Sequence, residues 1–257
     1  MKRLRKLIFV LLDGLNNKQS NLMGYMNALV KSGKAIKGRV LSEMPSLSRP
    51  LYETLLTGKT PVEHGIVNNS ISRLSKEESI FSLCRKSGLK TGAAAYYWVS
   101  ELYNRAPFNK VEDTYTEDMD KNIQHGIFYT LDHYPDENVF LDGEYIRRKN
   151  NPDFLMIHSM NVDDEGHKNG SESSQYRNSI RSVDGILSNF VPRWIEEGYT
   201  VIVTSDHGMS YDGNHSGDAE EEAEVPLWLI NSAEEIEITD SIPQIKVMEM
   251  MRKILNI

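Results

Sequence analysis

The chain has 257 residues, 39% hydrophobic and 26% charged, with a formal net charge of −8. That length suffices for one large core, and the composition excludes a wholly disordered or fibrous chain. The negative balance argues against a nucleic-acid polymer as partner, since a phosphate backbone would be repelled, and it leaves any anionic ligand in need of locally supplied positive charge.

Residues 1–6 are basic and lead into an apolar run at 7–12. That run is short and has no small-residue cleavage site, so it reads as a buried parallel strand rather than a secretion signal. No apolar segment is long enough to span a bilayer. The expected location is cytoplasmic, with no membrane partner. Residues 19–32 show helical spacing through Leu22, Tyr25, Met26 and Leu29, stopped by Gly33. A second strand is expected at 38–41, delivering the chain to Met44-Pro-Ser-Leu-Ser-Arg-Pro50. Pro45 and Pro50 oppose a helix before residue 50, whereas 51–57 reads as a short helix ended by Gly58. Ser48 then stands just ahead of a helix start, where backbone N–H groups favour an anion; an isolated serine in that place more often caps the helix.

Further on, a helix is expected at 76–87 and a strand at 90–99. Between residues 100 and 136 the periodicity fades, and this stretch is expected to form a small cap or insertion over the sheet. A helix at 137–149, a strand at 154–157, a polar loop at 158–170 and a long helix at 172–197 containing Pro192 follow. Strands at 200–204 and 226–230 and a helix at 242–254 close the chain. Strands separated by helices predict an α/β fold with a mostly parallel central sheet, in one domain spanning residues 1–257. In such sheets ligands gather at the carboxyl ends of the strands.

Those ends supply one kind of residue: Asp13 after the first strand, Asp163 and His167 after the fourth, Asp206 and His207 after the fifth, and His215 just beyond. Any one alone is commonly a turn former or a structural histidine. Six in loops that the pattern brings to one edge fit a divalent-metal centre. Cys84 is the only cysteine, so the donors are oxygen and nitrogen, a set that suits Zn²⁺ and is acceptable to Mn²⁺. Gly166 is expected to bend the Asp163–His167 segment, and Gly208 to remove a side chain that would crowd Asp206 and His207. His158 is placed to orient a ligand. Tyr96, Tyr97 and Trp98, at a strand end, offer rings for stacking, though aromatics there are more often core. The acidic run 220–224 reads as a solvated loop.

Taken in order, the Ser48 stretch, Asp163-Asp-Glu-Gly-His167 and Ser205-Asp-His-Gly-Met209 resemble the alkaline phosphatase superfamily, and most of all its type I phosphodiesterase and nucleotide pyrophosphatase branch. Ser48, Pro50, Thr57-Gly58 and His64-Gly-Ile-Val67 take the places of the branch's threonine nucleophile and the motifs after it. The resemblance implies a three-layer α/β/α fold. It implies two divalent ions, one held by Asp163, His167 and His215, the other by Asp13, Ser48, Asp206 and His207. It further implies a Ser48 nucleophile and a phosphoseryl intermediate on a small phosphorylated substrate, two ions about 4 Å apart stabilising the attacking and departing oxygens. The phosphate grip is assigned to the Arg49 backbone N–H with Asn68 or the Arg49 side chain, and Trp98 to the leaving group. Phosphomonoesterase, phosphonate hydrolase and sulfatase remain alternatives on the same fold, although Tyr52 stands where a sulfatase needs arginine. A non-catalytic metal-binding relic is the alternative of a different class.

Overall fold

A computed structural model describes residues 6–233, 236, 238 and 241–257. The basic stretch 1–5, read above as no signal peptide, lies outside them. The strands are β1 (Lys6–Leu12), β2 (Ala35–Leu41), β3 (Thr91–Tyr96), β4 (Tyr115–Glu117), β5 (His125–Tyr129), β6 (Phe154–Ser159), β7 (Tyr199–Thr204), β8 (Glu224–Ile230) and β9 (Ile242–Pro243). Among the described residues they form one nine-stranded sheet in the order β4-β5-β3-β6-β1-β7-β8-β2-β9. From β5 to β7 every pairing is parallel; β4, and β8 against both of its neighbours, pair antiparallel.

The helices are α1 (Gly24–Lys31), α2 (Ser48–Thr57), α3 (Pro61–His64), α4 (Ile80–Lys86), α5 (Tyr97–Tyr103), α6 (Lys110–Asp113), α7 (Asp136–Asn150), α8 (Asn161–Asn169), α9 (Ser174–Glu196), α10 (Glu220–Ala223) and α11 (Lys246–Leu255). Side chains of β1 alternate between two cores. Leu7, Phe9 and Leu11 face α2, α4, α5 and α11, while Ile8, Val10 and Leu12 face α1, α7 and α9. Burial on both faces is why this strand reads as an unbroken apolar run, and it makes the fold three layers deep.

Several elements differ from the sequence reading. The helix expected at 19–32 breaks at Met23 into a 3-10 turn (Gln19–Leu22) and α1. The Asp184 carboxylate of α9 accepts from the Tyr25 and Met26 N–H groups and restarts the helix there. The strand expected at 90–99 stops at Tyr96, so Trp98 lies on α5. Residues 115–129, expected to run over the sheet, instead extend its edge as β4 and β5. The loop expected at 158–170 is largely α8. A 23-residue α9 runs through Pro192, and the acidic run holds the one-turn α10.

Candidate metal and phosphoester site

β1, β6 and β7 are adjacent and parallel, so their carboxyl ends deliver Asp13, the α8 segment and Ser205-Asp206-His207 to the same edge. Donor atoms of Asp163, His167 and His215 lie within 4.8 Å of one another, and so do those of Asp13, Asp206 and His207. The two groups adjoin, because the rings of His207 and His215 stack at 3.6 Å with 5° between their planes. Ser48 Oγ lies 3.1 Å from His207 Nε2. The structure therefore brings all seven residues of the expected ligand set together.

The local reasons are specific. Asp163 and His167 stand one turn apart on α8, so a shared helix face brings them together, in place of the bend expected at Gly166. Gly166 is required instead by Met209, whose Cε would lie 2.7 Å from an added Cβ. At Gly208 an added Cβ would meet the Glu221 carbonyl at 2.0 Å, so the space there is needed by backbone. Gly14, at φ +74°, is a further contact point: an added Cβ would come within 2.8 Å of Asp163 Oδ1. Ser48 opens α2 as its first residue after the N-cap Leu47. Its hydroxyl meets His207 Nε2 and so faces the donor groups.

Hydrogen bonding specifies the tautomers. His167 Nδ1 lies 2.8 Å from the Gly213 carbonyl, His207 Nδ1 2.9 Å from that of Gly208, and His215 Nδ1 2.7 Å from that of Ser46. A carbonyl only accepts, so each Nδ1 carries the proton and each Nε2 presents a lone pair. Yet His167 Nε2 and His215 Nε2 face each other at 3.2 Å. Asp13 Oδ1, Asp163 Oδ1 and Asp206 Oδ2 are also buried without a hydrogen-bond partner. Lone pairs and orphaned carboxylate oxygens converging in this way fit bound cations. The remaining Asp13 oxygen, Oδ2, accepts from His158 Nε2 at 2.9 Å and from the Tyr52 hydroxyl.

Burial raises the Asp13 carboxyl, but the His158 hydrogen bond, His207 and Tyr52 outweigh it and hold it at about 2. Burial, then the Asp13 charge, pushes Asp163 and Asp206 well above the usual carboxylate range. Burial lowers His207 to about 3 and also depresses His215. One ionised carboxylate thus opposes ionisation of the other two, and divalent charge would reverse that balance.

The expected phosphate grip is corrected. The buried Arg49 guanidinium pairs with Glu101 at 2.8 Å, donates to the Ile71 carbonyl at 3.1 Å and stacks on Trp98 at 4.5 Å. It is held by the helix layer and not offered to a ligand. Asn68 Oδ1 accepts from the backbone and hydroxyl of Ser70, an Asx turn. The neighbouring Asn69 is the one beside Ser48, its Oδ1 accepting from the Arg49 N–H at 3.0 Å. Nothing in the sequence distinguished the two asparagines. Tyr52 was likewise legible only as a departure from another motif, although it lies one turn beyond Ser48. Trp98, half-buried, stands next to Tyr96 and Arg49 at the rim.

The type I phosphodiesterase / nucleotide pyrophosphatase family model matches residues 7–218, covering both donor groups and Ser48. The chain belongs to that family. It is 22% identical over 243 residues to GPI ethanolamine phosphate transferase 2 of Kluyveromyces lactis, a match covering 88% of this chain and 29% of that protein. The chain thus spans under a third of that relative. Murine ectonucleotide pyrophosphatase/phosphodiesterase 5 shares the fold at a TM-score of 0.77 and 14% identity, covering 98% of this chain and 95% of the other. The alkaline phosphatase of the Antarctic bacterium TAB5 does so at 0.68 and 13% identity, covering 100% and 99%. A mutant of the latter enzyme is described with magnesium bound. Family and fold are those of enzymes acting on phosphoesters, with a sheet edge bearing candidate metal donors.

Proposed function

We propose that the chain is a metal-dependent phosphodiesterase in which Ser48 is the nucleophile. The observation that carries this reading is the convergence of three unpartnered carboxylate oxygens and three imidazole lone pairs in two adjoining groups, with the Ser48 hydroxyl 3.1 Å from His207 Nε2 in one of them. Asp163, His167 and His215 would hold one divalent cation, and Asp13, Asp206, His207 and Ser48 the other; the donor set suits Zn²⁺. Such cations supply positive charge to a phosphoester and lower the pKa of a coordinated hydroxyl.

Ser48 stands at the amino end of α2, where the helix dipole favours the phosphate oxygens. Asn69 adds a neutral amide beside them. The Ser48 oxygen attacks phosphorus, the P–O bond to the leaving alcohol breaks, and a phosphoseryl group forms. Water then takes the phosphoryl group and restores the hydroxyl. Tyr52 and His158 hold Asp13 so that Oδ1 stays turned toward the centre.

A second reading, transfer to an alcohol instead of water, is favoured by the similarity to ethanolamine phosphate transferases. It uses the same Ser48 chemistry with a different acceptor. Turnover of bis-p-nitrophenyl phosphate and p-nitrophenyl phosphate, with Zn²⁺ or Mn²⁺ and with chelator, tests the proposal. Metal-dependent turnover with a diester preference of tenfold or more supports it. Undiminished turnover in Ser48→Ala removes the covalent route, and an added alcohol that partitions the product measures transfer.

A further inference from the structure

The loop that follows β1, residues 13–16, is hydrogen-bonded at every residue, to partners on β6, α9 and the segment after β7. The Asp13 N–H donates to the Ser159 carbonyl at the end of β6 at 3.0 Å. The Gly14 carbonyl accepts from the Tyr176 hydroxyl at 2.6 Å, and the Asn16 N–H donates to that same hydroxyl at 3.2 Å. The Leu15 N–H donates to Ser205 Oγ at 3.0 Å. Ser205 Oγ donates onward to the His207 carbonyl at 2.7 Å, with Asp206 Oδ1 a weaker second acceptor at 3.4 Å.

Tyr176 stands in the first turn of α9 and Ser205 directly after β7, and both are fully buried. Each hydroxyl both donates and accepts, so each is oriented from two sides. They meet through three consecutive backbone residues, Tyr176 holding Gly14 and Asn16, and Ser205 holding Leu15 between them. At one end of this run of contacts Gly14 bears on Asp163, where an added Cβ would lie 2.7 Å from the Asp163 Cα. At the other end the His207 backbone is held, and Asp13 itself begins the loop. The contacts therefore lead from one donor group to the other through neutral groups that do not compete for a cation.

Two cations acting on one phosphoester must keep a set separation, because a misplacement of about 1 Å is costly to an in-line reaction. Like charges repel, so that separation has to be imposed by the protein. We infer that the hydroxyls of Tyr176 and Ser205, joined through the 14–16 backbone, form one strut that sets the spacing of the two cation sites. This rests on the two-cation reading proposed above and adds two positioning residues to it.

The experiment titrates the metal-free full chain with Zn²⁺ by calorimetry and by chelator competition. The wild type should bind two ions. In Tyr176→Phe and in Ser205→Ala the weaker binding step should lose about tenfold in affinity. The double variant should lose little more than either alone, because a strut broken at one end is already released. Tyr199→Phe is the control: it deletes an equally buried tyrosine hydroxyl, bonded to the Pro152 carbonyl at 2.9 Å at the amino end of β7, and should bind both ions as the wild type does. A thermal melt without metal verifies that each variant is folded. Unaltered binding in Tyr176→Phe, losses that multiply in the double variant, or an equal loss in Tyr199→Phe overturns the strut while leaving the two-cation reading standing. A wild type that binds fewer than two ions overturns both.

Discussion

Gly14→Ala isolates the contact that fastens the Asp13 loop to α8. Gly14 has φ +74°, and an added Cβ would lie 2.7 Å from Asp163 Cα and 2.8 Å from its Cβ and Oδ1. A left-handed backbone at a non-glycine residue costs about 1–2 kcal/mol. Overpacking against atoms that cannot swing aside adds about 1–3 kcal/mol. The natural control is Gly33, at φ +72° with nothing within 4 Å of an added Cβ, where alanine meets the backbone penalty alone. Urea unfolding of both variants without added metal should show Gly14→Ala losing about 1–3 kcal/mol more than Gly33→Ala, from midpoints at unchanged slope. Because the clash bears on a candidate ligand, zinc affinity by chelator competition should also fall in Gly14→Ala and hold in Gly33→Ala. Equal losses of stability with equal zinc affinity would refute the packing argument.

Tyr52→Phe removes one of two hydrogen bonds to Asp13 Oδ2 while keeping the buried ring, so zinc affinity should drop about 10- to 100-fold with little change in the far-ultraviolet spectrum; titration against a chromophoric chelator measures it. Arg49→Met leaves Glu101 buried without its cation, and urea denaturation should show a loss of about 3–5 kcal/mol; an unaltered midpoint would mean that the guanidinium is free after all. His64 Nδ1 accepts from the Ile66 N–H at 3.1 Å, which a doubly protonated ring cannot do. Burial, with Arg73 nearby, lowers its pKa from 6.5 to about 4. The unfolded chain then binds more protons between these values, so this contribution is complete above pH 6.5, shrinks as pH falls and is gone below pH 4. Urea midpoints of the wild type and His64→Gln should converge toward pH 4, and a gap independent of pH would contradict the assignment.

The candidate donors and their order were legible because metal chemistry restricts such groups to few residue kinds, and because a strand buried on both faces leaves an apolar run just before Asp13 and before Asp206 and His207. Runs at 7–12 and 200–204 therefore placed Asp13, Asp206 and His207 at strand ends without any coordinates. The 100–136 stretch resisted reading for the opposite reason. β4, at the sheet's edge, and β5 beside it are short strands whose pairing partners, not their own pattern, make them strands. The α8 helix was hidden by its polar composition; only the one-turn spacing of Asp163 and His167 on a shared face carried a trace of it.

Which side chain faces the centre was a tertiary matter. Asn68 and Asn69 are adjacent and chemically identical, and only the position of the Arg49 N–H separates the turn former from the residue that bonds beside Ser48. Arg49 adjoins Ser48 in sequence, yet Glu101 from another helix draws its charge away. Tyr52 and His158 gain their places through partners 39 and 145 positions away in the chain. Local sequence determined the strands and the kinds of donor they carry. Long-range pairing decided which oxygens and nitrogens were left without partners, because a buried polar atom is defined by what surrounds it and not by its neighbours in the chain.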